Sequence, residues 1–203
     1  MKKIFFLVAA FAWLVSAVGG SWWLLQYKST PGESGDAPLQ WPSGSGIQRD
    51  ATQPTLVLLA HPRCPCTRAT IGELALLMAQ CQGKIKAQVL FFKPAGSADD
   101  WAHTDQWQSA SVIPGVTVRC DEDGVEARRF HVETSGHALL YDPSGTLLFS
   151  GGITAFRGHS GDNSGRTALA ALLNHQPASN RRTPVFGCAL AGQKLACQAT
   201  VHP

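Results

Sequence analysis

The sequence predicts an α/β domain, a mixed β-sheet flanked by helices and preceded by one N-terminal transmembrane helix. Three observations predict it. Residues 4–25, "IFFLVAAFAWLVSAVGGSWWLL", form an apolar run without a single charge, long enough at 1.5 Å per residue to cross about 30 Å of hydrocarbon. Further on, short apolar runs of strand length alternate with segments of helical period, as in strand–helix–strand units with parallel pairing. A hairpin signature then adds an antiparallel pair to the sheet.

The apolar run decides the compartment. Lys2 and Lys3 keep the leading end cytoplasmic, and Trp22, Trp23 and Tyr27 suit the opposite interface. The alternative is a cleaved signal peptide, with small residues at Val15-Ser16-Ala17 where a peptidase acts; the apolar run continues well past that site. Both readings export the rest of the chain. In a bacterium this gives a single-pass protein of the inner (cytoplasmic) membrane with its C-terminal domain in the oxidising periplasm.

Composition bounds the rest. With 203 residues, 44% hydrophobic and 15% charged, the chain suits one globular domain with extra segments. A formal charge of +3, with Lys and Arg scattered, argues against a nucleic-acid partner. The expected divisions are an anchor at 1–28, a Pro/Gly/Ser-rich linker at 29–54, the α/β domain at 55–176 and a cysteine-containing tail at 177–203. The linker shows no period of 2 or 3.6 and reads as a tether.

Within the domain, "TLVLLA" (55–60) is a strand buried on both faces. Ile71, Leu74, Met78 and Cys81 share one face of the following helix, which Gly83 stops. In "KIKAQVLFFKP" (84–94), Ile85, Ala87, Val89 and Phe91 alternate as in a second strand. Asp99 or Asp100 can cap a helix through Trp101 and Trp107. "GVTVRCDEDG" is a third strand with Val116, Val118 and Cys120 on one side, and "VEARRF" a short helix. "HALLYDPSGTLLFS" is a hairpin that turns at Asp142-Pro143-Ser144-Gly145. A glycine-rich loop follows, and then a helix with Ala168, Leu169, Leu172 and Leu173 inward.

The chemistry is announced by "HPRCPCTRA" (61–69) at the junction of the first strand and helix. Proline is favoured at the first helical position, where its missing N–H would be unpaired anyway. Pro65 therefore makes Cys64 the cap and places Cys66 in the first turn. Both sulfurs then lie near the positive end of the helix dipole. Arg63, Arg68 and His61 add positive charge, and such surroundings favour the thiolate.

This arrangement resembles the thioredoxin-like fold over residues 53–176. More narrowly, "HPRCPCTRA", "TSGHALLYDPSGTLLFSGGIT" and "RGHSGDNSGR" resemble the membrane-anchored thioredoxin-like bacterial proteins labelled RedB. The resemblance implies a thiol–disulfide oxidoreductase with Cys64 attacking and Cys66 resolving. Its partners would be exported cysteine-containing proteins and an unidentified redox partner, and no cofactor would be needed.

Two departures bear on that expectation. Family members carry Cys-x-x-Cys, whereas here one residue separates the thiols; a Cys64–Cys66 disulfide closes a small, strained ring that is easier to reduce. The family's proline beside the cysteines is replaced by Gly136, between Ser135 and His137, and loss of that proline strengthens a metal alternative. If the loop after the last strand emerges on the cysteine edge, Cys64, Cys66, His137 and His159 would hold Cu(I) or Zn.

The remaining motifs have plainer readings. Cys81 and Cys120 fall on core faces. Cys188 and Cys197 are expected to form a structural disulfide in an exported protein, the alternative being that Cys188 folds back towards Cys64. "GHSGDNSGR" fits no nucleotide fingerprint, and Asn163 or Ser164 as a helix cap explains it. His103, His131, His175 and His202 read as surface residues.

Overall fold

The computed structural model describes residues 2–190 and falls into two units divided after Thr30. The first is a single helix, α1 (Lys2–Ser29), with a mean hydropathy of 2.1 over its most apolar window. It is long and apolar enough to cross a membrane.

The second unit is a six-stranded mixed sheet. Its strands are β1 (Thr55–Ala60), β2 (Lys86–Lys93), β3 (Val116–Glu122), β4 (His137–Tyr141), β5 (Leu147–Gly152) and β6 (Arg182–Thr183), in the spatial order β3-β2-β1-β4-β5-β6. The pairs β1–β2, β2–β3 and β5–β6 are parallel; β1–β4 and β4–β5 are antiparallel. Two reversals make β5 parallel to β1, so the loops after both strands leave the same edge. The helices are α2 (Pro65–Gln80), α3 (Asp105–Ser111), α4 (Val125–Arg129) and α5 (Ser164–Leu173).

Strand alternation splits the core into two layers. Leu56 and Leu58 of β1, Val89 and Phe91 of β2, and Ala138 and Leu140 of β4 pack with Leu74, Leu77 and Met78 of α2 and Leu169 of α5. On the other face Val57, Leu59, Leu90, Leu139 and Tyr141 meet Ala127 and Phe130. Among the described helices only the short α4 packs on that second face, which leaves apolar area for another segment. Residues 31–54, expected as a tether, supply it. Trp41 sits edge-on to Phe130 and to Tyr141, each at 5.2 Å between centroids. Ala37 and Ile47 are buried there, and the Tyr141 hydroxyl donates to Pro38 O at 2.9 Å.

Most of the local expectations match these elements. Cys64 is extended (φ −85°, ψ 120°), with Pro65 opening α2. Asn163 caps α5, its side chain accepting from Arg166 N–H at 2.7 Å. Cys81 is buried and Cys120 half-buried, and both are free thiols. The start of α3 differs. Thr104, rather than Asp99 or Asp100, precedes the helix, and Trp101 lies outside it. Asp99 is instead drawn to Lys93 at 3.3 Å, and Trp101 lies under the Arg63 guanidinium, 4.4 Å from its centroid. The tail also differs from a free appendage. Residues 182–183 extend the sheet beside β5, and Val185 and Phe186 are buried.

Candidate active site

Cys64 stands where β1 runs out and α2 begins, and its surroundings are built from four other parts of the chain. Its N–H donates to His61 O at 3.1 Å, and its carbonyl accepts from Thr67 N–H at 3.0 Å and from the buried Gln106 amide at 3.1 Å. Ser135 braces the same turn from the β4 side: its hydroxyl accepts from His61 N–H at 2.8 Å and lies 2.9 Å from the Thr67 hydroxyl. The Cys64 backbone is thus held at both its N–H and its carbonyl.

The sulfur of Cys64 meets the tail. Cys188 Sγ is 2.8 Å away, although 124 residues separate the two in sequence. Cys64 is only 1% exposed, whereas Cys66 and Cys188 are half-buried. Hydrogen bonds from the Cys188 thiol first, and from the Cys66 thiol second, hold Cys64 far below the usual thiol range, at about 2, against the opposing effect of burial. The backbone N–H groups of Cys188 and Cys66 add smaller contributions in the same direction. Cys66 and Cys188 are each pushed up, chiefly by donating to Cys64 and then by burial. The arrangement favours the anion at Cys64 and the protonated form at Cys66 and Cys188.

The charges expected to activate Cys64 go elsewhere. Arg63 stacks on Trp101, and Arg68 pairs with Asp105 on α3, both side chains largely exposed. The His61 ring stacks on Phe92 at 5.8 Å and meets Trp101 edge-on; burial lowers its pKa, with the Cys64 charge opposing. Arg157, in the loop after β5, is the cation that acts on the sulfurs. Its guanidinium favours the ionised forms of Cys66 and Cys188, and it donates to Gly187 O. That loop is pinned to α2 by the fully buried Glu73, which accepts from Gly161 N–H at 2.7 Å and Asn163 at 3.1 Å and pairs with Arg166 at 2.8 Å.

The loop after β5 thus reaches the cysteine edge, as its parallel alignment with β1 requires, but through Arg157 and Gly158 rather than His159. The His159 ring packs against Phe156 at 5.9 Å between centroids. His137 alternates with Leu139 and Tyr141 onto the second sheet face, away from the layer that holds α2, and its Nε2 meets Ser150 Oγ at 2.8 Å. The expected ligand set of Cys64, Cys66, His137 and His159 is therefore not assembled. Among the described residues no group of three or more His, Cys, Asp or Glu side chains is arranged to hold a metal ion. Gly136 does lie beside the site. With φ +90°, it donates its N–H to Leu59 O at 2.7 Å, and an added Cβ would come 3.1 Å from the Thr70 hydroxyl of α2.

Cys197, the expected partner of Cys188, lies outside the described residues. Gln106, Arg157 and Glu73 were not singled out by sequence. Nothing local marks them, because each acts across the fold.

No family model matches the sequence, and the curated proteins yield no match. Among solved structures, a hypothetical protein of Sinorhizobium meliloti is similar over 79% of this chain and 93% of its own, with 17% identity and a TM-score of 0.58. An uncharacterized conserved protein from Geobacillus kaustophilus is similar over 83% and 95%, with 16% identity and a TM-score of 0.57. A thioredoxin-like protein solved in its oxidized form is similar over 74% and 97%, with 14% identity and a TM-score of 0.45. With β1–α2–β2, the parallel β3, the β4–β5 hairpin and the closing α5, and a cysteine cluster at the head of α2, the second unit of this chain has a thioredoxin-like fold.

Proposed function

We propose that this chain is a membrane-anchored, exported thiol–disulfide oxidoreductase whose chemistry begins at Cys64. The observation that carries the reading is the sulfur arrangement: Cys64 at the head of α2, its anion stabilised by two donating thiols. A thiolate is the species that attacks a disulfide. Cys64 attacks one sulfur of a client disulfide, a mixed disulfide forms, and the client's other sulfur leaves as a thiolate. A second thiol of the cluster, Cys66 or Cys188, then attacks Cys64 Sγ and frees the client. Run in reverse, the same steps oxidise a client dithiol. Clients are exported cysteine-containing proteins, and a dithiol or disulfide partner resets the site. Anchoring by α1 would hold the domain in the periplasm.

The test uses the full chain in detergent with a disulfide reporter and dithiothreitol. Cys64→Ser is expected to abolish turnover and Cys120→Ser to leave it unchanged. Wild-type turnover no faster than the dithiol alone would sink the reading. Carbonate-washed membranes should retain the chain; release into the wash removes the anchored half of the proposal.

A further inference from the structure

We propose that Cys188 is the thiol that resolves Cys64, and that the oxidised site is a Cys64–Cys188 disulfide; the inference rests on the thiol–disulfide reading above. The C-terminal segment is held on both sides of Cys188 by the backbone. Gly32 N–H donates to Val185 O at 2.8 Å, and Arg157 donates to Gly187 O. Ser135 N–H donates to Cys188 O at 2.8 Å, Thr134 and Ala189 form an antiparallel bridge, and Leu190 N–H donates to Glu133 O at 2.8 Å. An arm seated by this many directional bonds presents its side chain in one register.

Glycine permits the approach. A Cβ on Gly187 would fall 1.9 Å from Ser135 O, so no other residue allows the arm to lie this close. The outcome is a sulfur placed 2.8 Å from Cys64. Joining the two closes no small ring, whereas a Cys64–Cys66 bond must close around Pro65, whose φ is fixed.

The electron balance is complete within this scheme. With the arm displaced, the Cys64 thiolate attacks a client disulfide and expels one client thiolate. The arm returns, Cys188 gives up its proton, and its sulfur attacks Cys64 Sγ. The Cys64–Cys188 bond forms as the client–Cys64 bond breaks, and the second client sulfur leaves as a thiolate. Both client thiolates take up protons, so the client gains two electrons and the site loses two. One thiol of the redox partner's dithiol attacks Cys188, the more exposed sulfur, and Cys64 leaves as the thiolate; the partner's second thiol then breaks the partner–Cys188 bond, so Cys188 is restored as a thiol and the partner leaves as a disulfide.

The experiment is disulfide mapping of the full chain in detergent after diamide oxidation, iodoacetamide blocking and trypsin digestion. Cleavage after Arg63, Arg68, Arg182 and Lys194 puts Cys188 in a peptide separate from both Cys64 and Cys197. The expected product links the 64–68 peptide to the Cys188 peptide, with the iodoacetamide label on Cys66 in its fragment spectrum; a label on Cys64 instead overturns the assignment. A bond inside the Cys64–Cys66 peptide, or one joining Cys188 to Cys197, overturns the proposal. Gly187→Ala keeps all six cysteines and is expected to lower the linked product severalfold; an unchanged yield removes the seating argument. Reduced Cys188→Ser, freed of dithiothreitol and mixed with the reporter, is expected to stop at a Cys64–reporter mixed disulfide, where the wild type releases both reporter thiols. If Cys188→Ser also releases both thiols, this inference fails and the redox reading stands; if the wild type releases none, both fail.

Discussion

Cys64 and Cys188 place their sulfurs 2.8 Å apart while Cys64 is only 1% exposed, so within this pair the sulfur more easily ionised is the one that solvent reaches less. Ionisation and access are separate properties here, and alkylation distinguishes them. A pKa lowered to about 2 leaves Cys64 anionic across the working range, so its labelling rate should stay flat between about pH 5 and 8. Burial holds the Cys81 and Cys120 thiols up, and their labelling should rise about tenfold per pH unit. The Cys64 rate is then limited by opening of the 184–190 arm, and Gly187→Ala should raise it. A Cys64 rate that climbs tenfold per unit would mean that no stabilised thiolate exists.

Glu73 carries the loop that holds Arg157. It is fully buried on α2 and engages Arg166, Gly161 and Asn163. Removing one partner of a buried ion pair leaves the other uncompensated, at a cost of about 3–5 kcal/mol. Glu73→Ala should therefore lower stability towards that range, and Glu73→Gln, which keeps an acceptor for Gly161 N–H, should lower it less. Urea denaturation followed by circular dichroism checks this; a loss below about 1 kcal/mol would place the pair with ordinary surface ion pairs.

Gly136 cannot be exchanged for proline. Its φ is +90° and its N–H is bonded to Leu59 O, whereas proline holds φ near −65° and has no N–H. Gly136→Pro should cost about 3 kcal/mol or more. Gly136→Ala should cost about 1–2 kcal/mol, from the positive φ and the contact with Thr70. Equal stability of Gly136→Pro and wild type in the same urea assay would contradict the observed backbone.

His137 makes the fold acid-sensitive. Burial pushes its pKa down to about 4 from 6.5. Between those values the unfolded chain binds a proton that the folded one refuses, so stability rises with pH through this window and is lost as pH falls from 6.5 towards 4. The full effect of such a shift is about 3 kcal/mol. Denaturation midpoints measured across the window should fall with acid in the wild type and flatten in His137→Gln; equal slopes would remove the assignment.

Much of this was legible in the residues. Pro65 announced the start of α2, a continuous apolar run announced β1, alternating runs announced β2 and β3, and Asp142-Pro143-Ser144-Gly145 announced the β4–β5 hairpin. Asn163 and Ser164 announced the start of α5, and Asn163 is the cap. Each of these signals lies within a few residues of the structure it specifies. The start of α3 was misplaced because Asp99, Asp100 and Thr104 are all residue types that precede helices; the helix begins after Thr104, whose hydroxyl donates to Pro62 O rather than accepting from the first turn.

By itself the sequence determined the strand–helix order, the apolar N-terminal helix and the placing of two thiols at a helix start, because steric and periodic preferences act between neighbours in the chain. Only the tertiary structure decided that Trp41 closes the second sheet face, that Arg157 rather than Arg63 or Arg68 serves the sulfurs, and that Cys188 comes to rest on Cys64. Those contacts arise when surfaces far apart in sequence meet, and their directions follow from sheet order and helix packing, which no short run of residues encodes.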